Sequence, residues 1–482
     1  MKFHLEYNNQ MVRSLRQYYY VPLLLITLLI MVISPRLLSG WQDERQAQRS
    51  IADGEYSQAA LLFESAAQRL PWRYDLWEQA GMAALAMGDW DGAILFLDKA
   101  ETKGLLSYQG KIAIGDSYEK KGDLESAIKI WKGALTVYET KAELFDRLAQ
   151  AYHSLRDFTA EEGELRDLIA LQPQNASTHY RLGLLLVAKR PEEALSELIL
   201  SARLEPELDP RVQILRAGLD TALLEDDHAY RLVVSGQALA AIKEWGLAVQ
   251  AFSQAIAIRA DYAEAWALLG ETIQNLDQDG LPYLDKALNL DPDSVLVHAL
   301  RGLYWQRQKE SKKALAEFQM VVKLEPENPT WLAALGDAYA QYGNLPPALD
   351  AYQRAVSLVP NDPLYWRLLA VFCVQFDVQV NDIGLPAAVH AISLAPRDAL
   401  ARDAAGWVFL TLGIYNMAEE QLLFAIELEP NLASAHFHLA LLYLQKNQRD
   451  FAYEHLVRVL DLDSNGILGQ QAARLLVQYY PK

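Results

Sequence analysis

Residues 330–360 read TWLAALGDAYAQYGNLPPALDAYQRAVSLVP, and this stretch decides the fold class. Small residues such as Gly336 and Ala348 allow two antiparallel helices to approach closely, while large residues such as Tyr352 fill the remaining space. Pro360 ends the stretch because proline cannot continue a helix. The stretch therefore predicts a helical hairpin. A single hairpin cannot bury its apolar face alone, so we expect such hairpins to stack.

The same sequence pattern, an apolar helix end followed by proline, recurs along the chain. Pro326 and Pro360 are separated by 34 residues, and most of the related prolines differ from multiples of that spacing by a residue or two. Each ends an apolar phrase, and the phrases are LIALQP, SARLEP, ALNLDP, VVKLEP, AVSLVP, AISLAP and AIELEP, ending at Pro173, Pro206, Pro292, Pro326, Pro360, Pro396 and Pro430. Self-similarity at this period predicts an array of helical pairs.

These residues resemble the tetratricopeptide-repeat (TPR) family. Its pattern places an aromatic residue, Leu-Gly and Tyr on helix A, then Ala, an aromatic residue and Ala on helix B, followed by Pro. Residues 330–360 carry it at Leu332, Leu335, Gly336, Tyr339, Ala348, Tyr352, Ala355 and Pro360. The resemblance covers almost everything from Gln42 to Lys482. It implies an all-α, right-handed superhelical solenoid of about 11 to 12 hairpins, whose A helices line a concave, protein-binding groove.

The phase of the repeat predicts the domain boundaries. We expect an N-terminal array at 42–208, a C-terminal array at 229–464 and a capping helix at 465–482. Residues 209–228 break the phase by about 20 residues. Their apolar residues fit an extra helix in a continuous stack. The alternative is a division into two arrays that hinge.

An apolar segment precedes the repeats. Residues 21–33 read VPLLLITLLIMVI, with tyrosines at 18–20 before them and Trp41 after them. The span between these aromatic residues is about 20 residues, or roughly 30 Å as a helix, which matches a bilayer core. We therefore predict a short tail at 1–17 and one transmembrane anchor helix at 18–41. A cleaved signal peptide is the alternative, but no small-x-small cleavage site follows.

The orientation of this anchor rests on its flanks. Basic residues are balanced, because three lie on each side: Lys2, Arg13 and Arg16 before it and Arg36, Arg45 and Arg49 after it. The short tail and long folded part resemble a signal anchor with its N-terminus inside. We therefore expect the solenoid to be extracytoplasmic.

Composition limits the possible functions. The chain has 482 residues, 44 basic and 62 acidic, for a net charge of −18. This balance disfavours nucleic acid, whose phosphates require clustered Lys and Arg. Cys373 is the single cysteine, so neither an intrachain disulfide nor a Cys-based metal site can form, and its apolar surroundings predict a place in the core.

The sequence lacks the common motifs for nucleotide binding, metal binding and catalysis. The sequence has no Walker A loop, G-x-G-x-x-G, H-E-x-x-H, G-x-S-x-G or EF-hand loop. The acidic runs at 161–164 and 225–227 are interpreted as solvated faces. We therefore expect no catalytic residue, cofactor or metal site, and no enzyme activity, since no residues remain for a catalytic domain.

The resemblance implies that positions near 2, 5, 9 and 12 of each A helix face the groove. In the N-terminal half these positions predict an acidic lining at Asp75, Glu78, Asp116, Glu119, Glu143 and Asp146. In the C-terminal half they predict an apolar lining at Leu296, Leu300, Leu303, Val371, Leu400, Trp407, Phe437, Leu441 and Leu444. We expect an apolar helix or extended peptide to bind there, anchored by Trp407 and Phe437. The alternative is that these residues pack between neighbouring helices.

Together these features predict a single-pass membrane-anchored TPR scaffold that assembles or tethers a membrane-associated complex. Anchoring would confine the search for partners to the bilayer surface. The alternative is a non-catalytic accessory or regulatory subunit of a membrane or envelope enzyme complex.

Overall fold

The computed structural model describes residues 24, 34–103, 106–138 and 140–480. Every regular element in these ranges is helical, which confirms the all-α prediction. The chain forms two compact units, Met1–Leu224 (unit 1) and Glu225–Lys482 (unit 2). In each unit, successive helices pair into antiparallel hairpins, and we call the first helix of a hairpin its A helix and the second its B helix.

Unit 1 contains, in its described part, five hairpins and a single final helix. The described part of its first helix, α1, covers residues 34–52. The others are α2 (Tyr56–Arg69), α3 (Asp75–Met87), α4 (Trp90–Lys103), α5 (Tyr108–Lys120), α6 (Leu124–Leu135), α7 (Ala142–Ser154), α8 (Phe158–Leu171), α9 (Ala176–Lys189), α10 (Pro191–Leu204) and α11 (Asp209–Ala222).

Unit 2 contains seven hairpins and a closing helix among its described residues. The helices are α12 (His228–Ala241), α13 (Trp245–Ile258), α14 (Ala263–Gln274), α15 (Leu281–Leu290), α16 (Val295–Arg307), α17 (Ser311–Leu324), α18 (Pro329–Tyr342), α19 (Leu345–Leu358), α20 (Pro363–Gln375), α21 (Leu385–Leu394), α22 (Ala399–Thr411), α23 (Tyr415–Leu428), α24 (Ala433–Gln445), α25 (Arg449–Leu462) and α26 (Ile467–Tyr479). A π-helical turn, Val380–Gly384, lengthens the connection between α20 and α21.

A glycine of helix A faces a large side chain of helix B in most hairpins. A Cβ on Gly336 would lie 2.9 Å from Cε2 of Tyr352, closer than real Cβ contacts. The same contact recurs in Gly81–Leu97, Gly115–Trp131, Gly183–Leu198, Gly236–Phe252, Gly302–Phe318 and Gly406–Leu422. The predicted division between small and large residues is therefore confirmed as the way the two helices approach.

The loop before an A helix is held by a side chain from that helix. His298 Nε2 donates to the carbonyl of Pro292 at 2.8 Å, six residues earlier. Equivalent bonds join His179 to Pro173, Trp266 to Ala260, Trp366 to Pro360, Arg402 to Pro396 and His436 to Pro430. The carbonyl at the end of one hairpin is thus satisfied by the next, which fixes how successive A helices enter the stack.

The phase break forms an ordered helix. Leu215 and Leu219 of α11 are fully buried, and the division between the two units falls after Leu224. Cys373 is also buried, and burial raises the pKa of its thiol to about 11.

The predicted transmembrane anchor falls largely outside the described residues. Of the range 18–41, only Leu24 and residues 34–41 are described, and the latter belong to α1. Among the described residues, no helix has both the length and the apolar character that a bilayer span requires.

Candidate protein-binding surface

The acidic residues predicted to line the first groove are paired within unit 1. Arg147 of α7 donates to both oxygens of Asp116 on α5, at 2.7 and 3.0 Å, and to Glu143 at 2.9 Å. Arg181 of α9 donates to Asp146 at 2.8 Å. These bonds connect α5, α7 and α9 in sequence, so the carboxylates stabilise the stack of A helices.

The remaining acidic candidates also have neighbours that offset their charge. Arg73 donates to Asp75, and this hydrogen bond lowers the pKa of the Asp75 carboxyl. Glu78 accepts hydrogen bonds from the backbone N–H and the hydroxyl of Ser107. Glu119 lies 4.0 Å from Lys120 Nζ. Most of these carboxylates therefore have a partner in the chain that offsets their charge, and their place in the lining of a groove stays a prediction.

Glu161 does not lie on the solvated face that the sequence predicts. The acidic run at 161–164 was expected to be solvated, yet Glu161 is only 1% exposed. Its carboxylate lies between His153 Nδ1 at 3.0 Å and Arg181 Nη2 at 3.4 Å. Glu162 contacts Lys189 Nζ at 2.9 Å. The charge run is thus a set of ion pairs that connects helices α7, α8 and α9.

The apolar residues predicted in the second groove divide into three groups in unit 2. Leu303 and Leu400 are exposed, at 40% and 41%. A second group is half-buried, and its members are Leu296, Val371, Trp407, Leu441 and Leu444. Of these, all except Val371 pack directly against core clusters. The exposed and half-buried members can therefore still contribute to a surface.

Leu300 and Phe437 are buried, and for these two the alternative interpretation holds. Leu300 belongs to the core shared by α14, α15 and α16. Phe437 is 8% exposed and packs with Leu456 of α25 and Ala472 of α26. The expected anchoring role of Phe437 is wrong because the closing helix α26 contributes to a core around its ring.

Trp407, the other expected anchor, is held in place by two buried polar residues. Its indole stacks on the ring of His438, with centroids 4.5 Å apart and planes inclined by 20°. Nδ1 of His438 lies 2.7 Å from Oδ1 of the buried Asp403. One side of the indole is thus fixed, and the residue keeps a partly accessible surface on α22.

Arg367 on α20 was not singled out by the sequence. Its Nε is fully enclosed and has no hydrogen-bond partner in the described part of the chain. Other A-helix arginines are satisfied: Arg307 bonds to Glu271 at 2.6 Å, and Arg402 to the carbonyl of Pro396. Arg367 is therefore a cationic residue for which the described residues supply no carboxylate.

Helical spacing places Arg367 inside an apolar stripe. Leu364, which is 39% exposed, precedes it by one turn, and Val371 follows it by one turn on the same face. Helix α20 packs against α22, which carries Leu400 and Trp407 at the same seven-residue spacing. We call these five residues the unit 2 A-face. The spacing of Arg367 between apolar residues on an A helix is the sequence signal that would have identified it.

A separate cavity lies near the start of unit 2. It measures about 650 Å³, and its lining includes Arg259, Tyr262, Glu264 and Leu296. Burial raises the pKa of the Tyr262 hydroxyl and of the Glu264 carboxyl. Leu296, predicted for the groove, thus contributes to this more polar depression. In the described ranges, no group of three or more His, Cys, Asp or Glu side chains is arranged to hold a metal ion.

The hairpin geometry agrees with comparisons to known proteins. Residues 306–371, from the end of α16 to the middle of α20, match a tetratricopeptide-repeat family model. The chain carries tetratricopeptide repeats in this range. The glycines of the A helices, the alanines of the B helices and the prolines after them follow the pattern of that family in this TPR protein.

Its relatives are TPR proteins of different kinds. Anaphase-promoting complex subunit 3 of Schizosaccharomyces pombe is 22% identical over 205 residues, covering 42% of this chain and 30% of that protein. Mitochondrial import receptor subunit TOM70 of Homo sapiens is 22% identical over 259 residues, covering 52% and 39%. This TPR protein therefore spans about a third of the length of these relatives. The crystal structure of yeast Tom70 aligns over 90% of this chain and 94% of that one, with 15% identity and a TM-score of 0.41.

Proposed function

We propose that this TPR protein is a single-pass membrane-anchored scaffold, a right-handed solenoid whose unit 2 A-face binds a protein partner. The proposal rests on a difference between the A-helix side chains of the two units. In unit 1, A-helix charges such as Asp116 and Arg147 are paired with each other. In unit 2, Leu364 and Leu400 are exposed and Arg367 has no carboxylate among the described residues. A partner that covers this face would bury the exposed leucines and place a carboxylate against the outer nitrogens of the guanidinium.

The unit 2 A-face also indicates the chemistry of its partner. Arg367 lies between Leu364 and Val371, so the complementary surface is an apolar segment that carries one carboxylate. A helix or an extended peptide can present such a segment. The guanidinium would orient the bound partner segment, because a bidentate pair with a carboxylate has a defined geometry. Leu400 and Trp407 on the neighbouring helix would extend the apolar contact.

The relatives support the class of function without naming a partner. One is by name a subunit of the anaphase-promoting complex and the other a subunit of a mitochondrial import receptor. Both names describe components of multi-protein assemblies. The short matched share of each relative means that their partners do not transfer. The anchor at 18–41 and the extracytoplasmic position of the solenoid enter this proposal from the sequence alone.

The binding proposal is tested with one face variant and one control. The full-length protein is purified from detergent-solubilised membranes as wild type, as Leu400→Glu and as Leu224→Glu, where Leu224 is 82% exposed and lies in unit 1. Proteins that co-purify stoichiometrically with wild type and Leu224→Glu should be lost from Leu400→Glu, with unchanged circular dichroism. Equal recovery by all three would refute the assignment of this face. A recovered partner that is an enzyme at fixed stoichiometry would favour the accessory-subunit alternative.

The anchor is tested separately. Membranes containing the full-length protein are washed with alkaline carbonate, which removes peripheral proteins and leaves spanning proteins in the pellet. We expect the protein to remain in the pellet. Its release into the supernatant would contradict the anchor while leaving the partner-binding face untouched.

A further inference from the structure

We propose that the α2–α3 loop, residues 70–74, is a second membrane contact that lies in the headgroup region of an anionic bilayer. The inference rests on the anchor part of the proposed function, and it assigns a lipid-contacting role to Trp72 and Tyr74 in the folded domain. The observations that carry it are the direction of the first hairpin, the exposure of its aromatic residues and the departure of this loop from its counterparts.

The first hairpin places the loop beside the start of α1. Helices α1 and α2 are antiparallel, since Ser65 and Arg69 of α2 both bond to Asp43 of α1. Arg36 donates to the carbonyl of Gln68 at 3.3 Å. Because the two helices are antiparallel, the loop after α2 lies closer to residues 34–44 of α1 than the turn between the two helices does.

Contacts around Trp41 show which residues of α1 the loop lies beside. A Cβ on Gly40 would lie 2.8 Å from Cγ of Leu70, at the end of α2. The guanidinium of Arg73 lies 5.1 Å from the centre of the Trp41 ring, and Arg73 also donates to Glu44 at 2.9 Å. Residues 70–73 are thus at the same height along α1 as Trp41, which the sequence places at the edge of the bilayer.

Four apolar or aromatic side chains near this height are exposed, beside the ion pairs that Arg73 forms with Glu44 and Asp75. Leu38 is 63% exposed, Trp41 43%, Trp72 53% and Tyr74 42%. Trp and Tyr are the residues preferred where hydrocarbon meets headgroups, because their rings are apolar and their N–H and O–H groups stay hydrated. Exposed apolar side chains that cluster on a surface mark protein or membrane interaction sites.

Four of the corresponding loops in later hairpins contain no aromatic residue. Those loops read QPQN at 172–175, DPDS at 291–294, EPEN at 325–328 and VPND at 359–362, whereas the first reads LPWRY at 70–74. In the later loops Asn175, Ser294, Asn328 and Asp362 each cap the following helix with a side-chain oxygen. Tyr74 stands at the N-cap of α3 and makes no such bond. Tyr262 is likewise an uncapped tyrosine at the N-cap of α14, so the residue that distinguishes the first loop is Trp72.

The charges of α1 favour a lipid surface as the occupant. Arg36 and Arg45 are exposed on α1, within about one and a half turns of Trp41. Basic residues next to a membrane segment are attracted by anionic headgroups. Together with the aromatic residues, they form the combination that peripheral segments use to lie in a bilayer interface. We therefore commit to anionic lipid, and treat a protein partner as an outcome of the test.

The test measures depth at single cysteines in the full-length chain. In a Cys373→Ser background, cysteine is introduced at Trp72, at Ile51 or at Leu28 and spin-labelled, and the protein is reconstituted in vesicles of equal parts phosphatidylcholine and phosphatidylglycerol. Ile51 is the matched control, because it is 38% exposed and lies ten residues after Trp41 in α1, roughly 15 Å away. Power saturation then compares access of oxygen, which concentrates in lipid, with access of a water-soluble nickel chelate.

The outcomes separate this inference from the anchor. We expect the oxygen-to-nickel ratio at 72 to be several-fold higher than at 51, with 28 higher still. A lipid-embedded label at 28 together with equal ratios at 72 and 51 would overturn the inference and leave the anchor intact. A water-exposed label at 28 would overturn both. A label at 72 that is shielded from both reagents would overturn lipid contact in favour of a protein surface.

Discussion

Tyr352 lies directly over Gly336, and the hydroxyl of the same tyrosine donates to Asp337, the next residue of helix α18. The ring is 3% exposed, and it also lies 5.0 Å from the ring of Phe372 in the following hairpin. One side chain of a B helix thus fixes the closest approach within its own hairpin and contacts the next. The absence of a Cβ at Gly336 is what makes this position possible.

Replacing Gly336 should therefore be costly. In Gly336→Val, the branched side chain meets the Tyr352 ring, so we expect a loss of about 2–3 kcal/mol in the free energy of unfolding. Gly133 is the matched control, because it lies inside helix α6 with no atom within 4 Å of an added Cβ. Gly133→Ala should be neutral or stabilise by up to about 1 kcal/mol. Urea unfolding followed by circular dichroism measures both, and equal effects would refute the close-contact explanation.

The hairpins could be predicted from the sequence because their determinants are local. Gly336 and Tyr352 belong to one repeat, so their contact follows from two helices of known length and a short turn. Contacts between hairpins could not be predicted in this way. Asp116 and Arg147 lie on successive A helices, and whether they meet depends on the register of stacking, which the repeat pattern does not contain.

The candidate surface was predicted only in part for the same reason. Leu400 and Trp407 were identified from their positions on an A helix, and both keep accessible surface. Phe437 occupies a comparable position but is buried, because the following element is the closing helix α26 instead of another A helix. Arg367 was missed because an arginine is ordinarily paired, and its isolation becomes visible only when its surroundings are known.

The Asp116–Arg147 pair should contribute measurably to the stability of unit 1. The Arg147 guanidinium bonds to both oxygens of Asp116, and these bonds raise the pKa of Arg147 above its ordinary value. In a double-mutant cycle with Asp116→Asn and Arg147→Met, we expect a coupling energy of about 1 kcal/mol that decreases in high salt. The exposed pair Arg216–Asp220, at 3.7 Å, is the control and should show almost none. A salt-independent coupling at Asp116–Arg147 would contradict an electrostatic origin.

Replacing Arg367 should increase the stability of the fold and weaken the binding of a partner. Its enclosed Nε lacks a hydrogen-bond partner among the described residues, so Arg367→Met is expected to raise the free energy of unfolding by about 1 kcal/mol. The same substitution should weaken binding of any partner that Leu400→Glu abolishes. Arg354→Met, at an exposed position on the adjacent helix α19, is the control and should change neither quantity. Thermal melts and pull-downs measure the two effects, and a destabilised Arg367→Met would show that the guanidinium serves the fold itself.

A pair of histidines in the last hairpin should make unit 2 sensitive to acid. Nε2 of His436 must be protonated, because it donates to the carbonyl of Pro430 at 3.1 Å. Its Nδ1 therefore accepts from Nδ1 of His455, 2.8 Å away, and both rings are neutral. Burial, and then the neighbouring His436, lowers the pKa of His455 to about 4 from an ordinary 6.5; burial also lowers that of His436.

Because the folded-state pKa of His455 is below its unfolded value, its contribution to stability is complete above about pH 6.5 and is lost as the pH falls towards 4. Between pH 8 and pH 5, we expect a loss of about 2 kcal/mol in the free energy of unfolding from this residue.

In His455→Glu this loss should shrink, because the carboxylate would stabilise a protonated His436. An earlier hairpin has the same arrangement, since Glu317 lies 2.6 Å from Nδ1 of His298. His228→Gln, at an exposed position, should leave the profile unchanged. Urea unfolding of each variant from pH 5 to 8 measures this, and parallel profiles for wild type and His455→Glu would disprove the assignment.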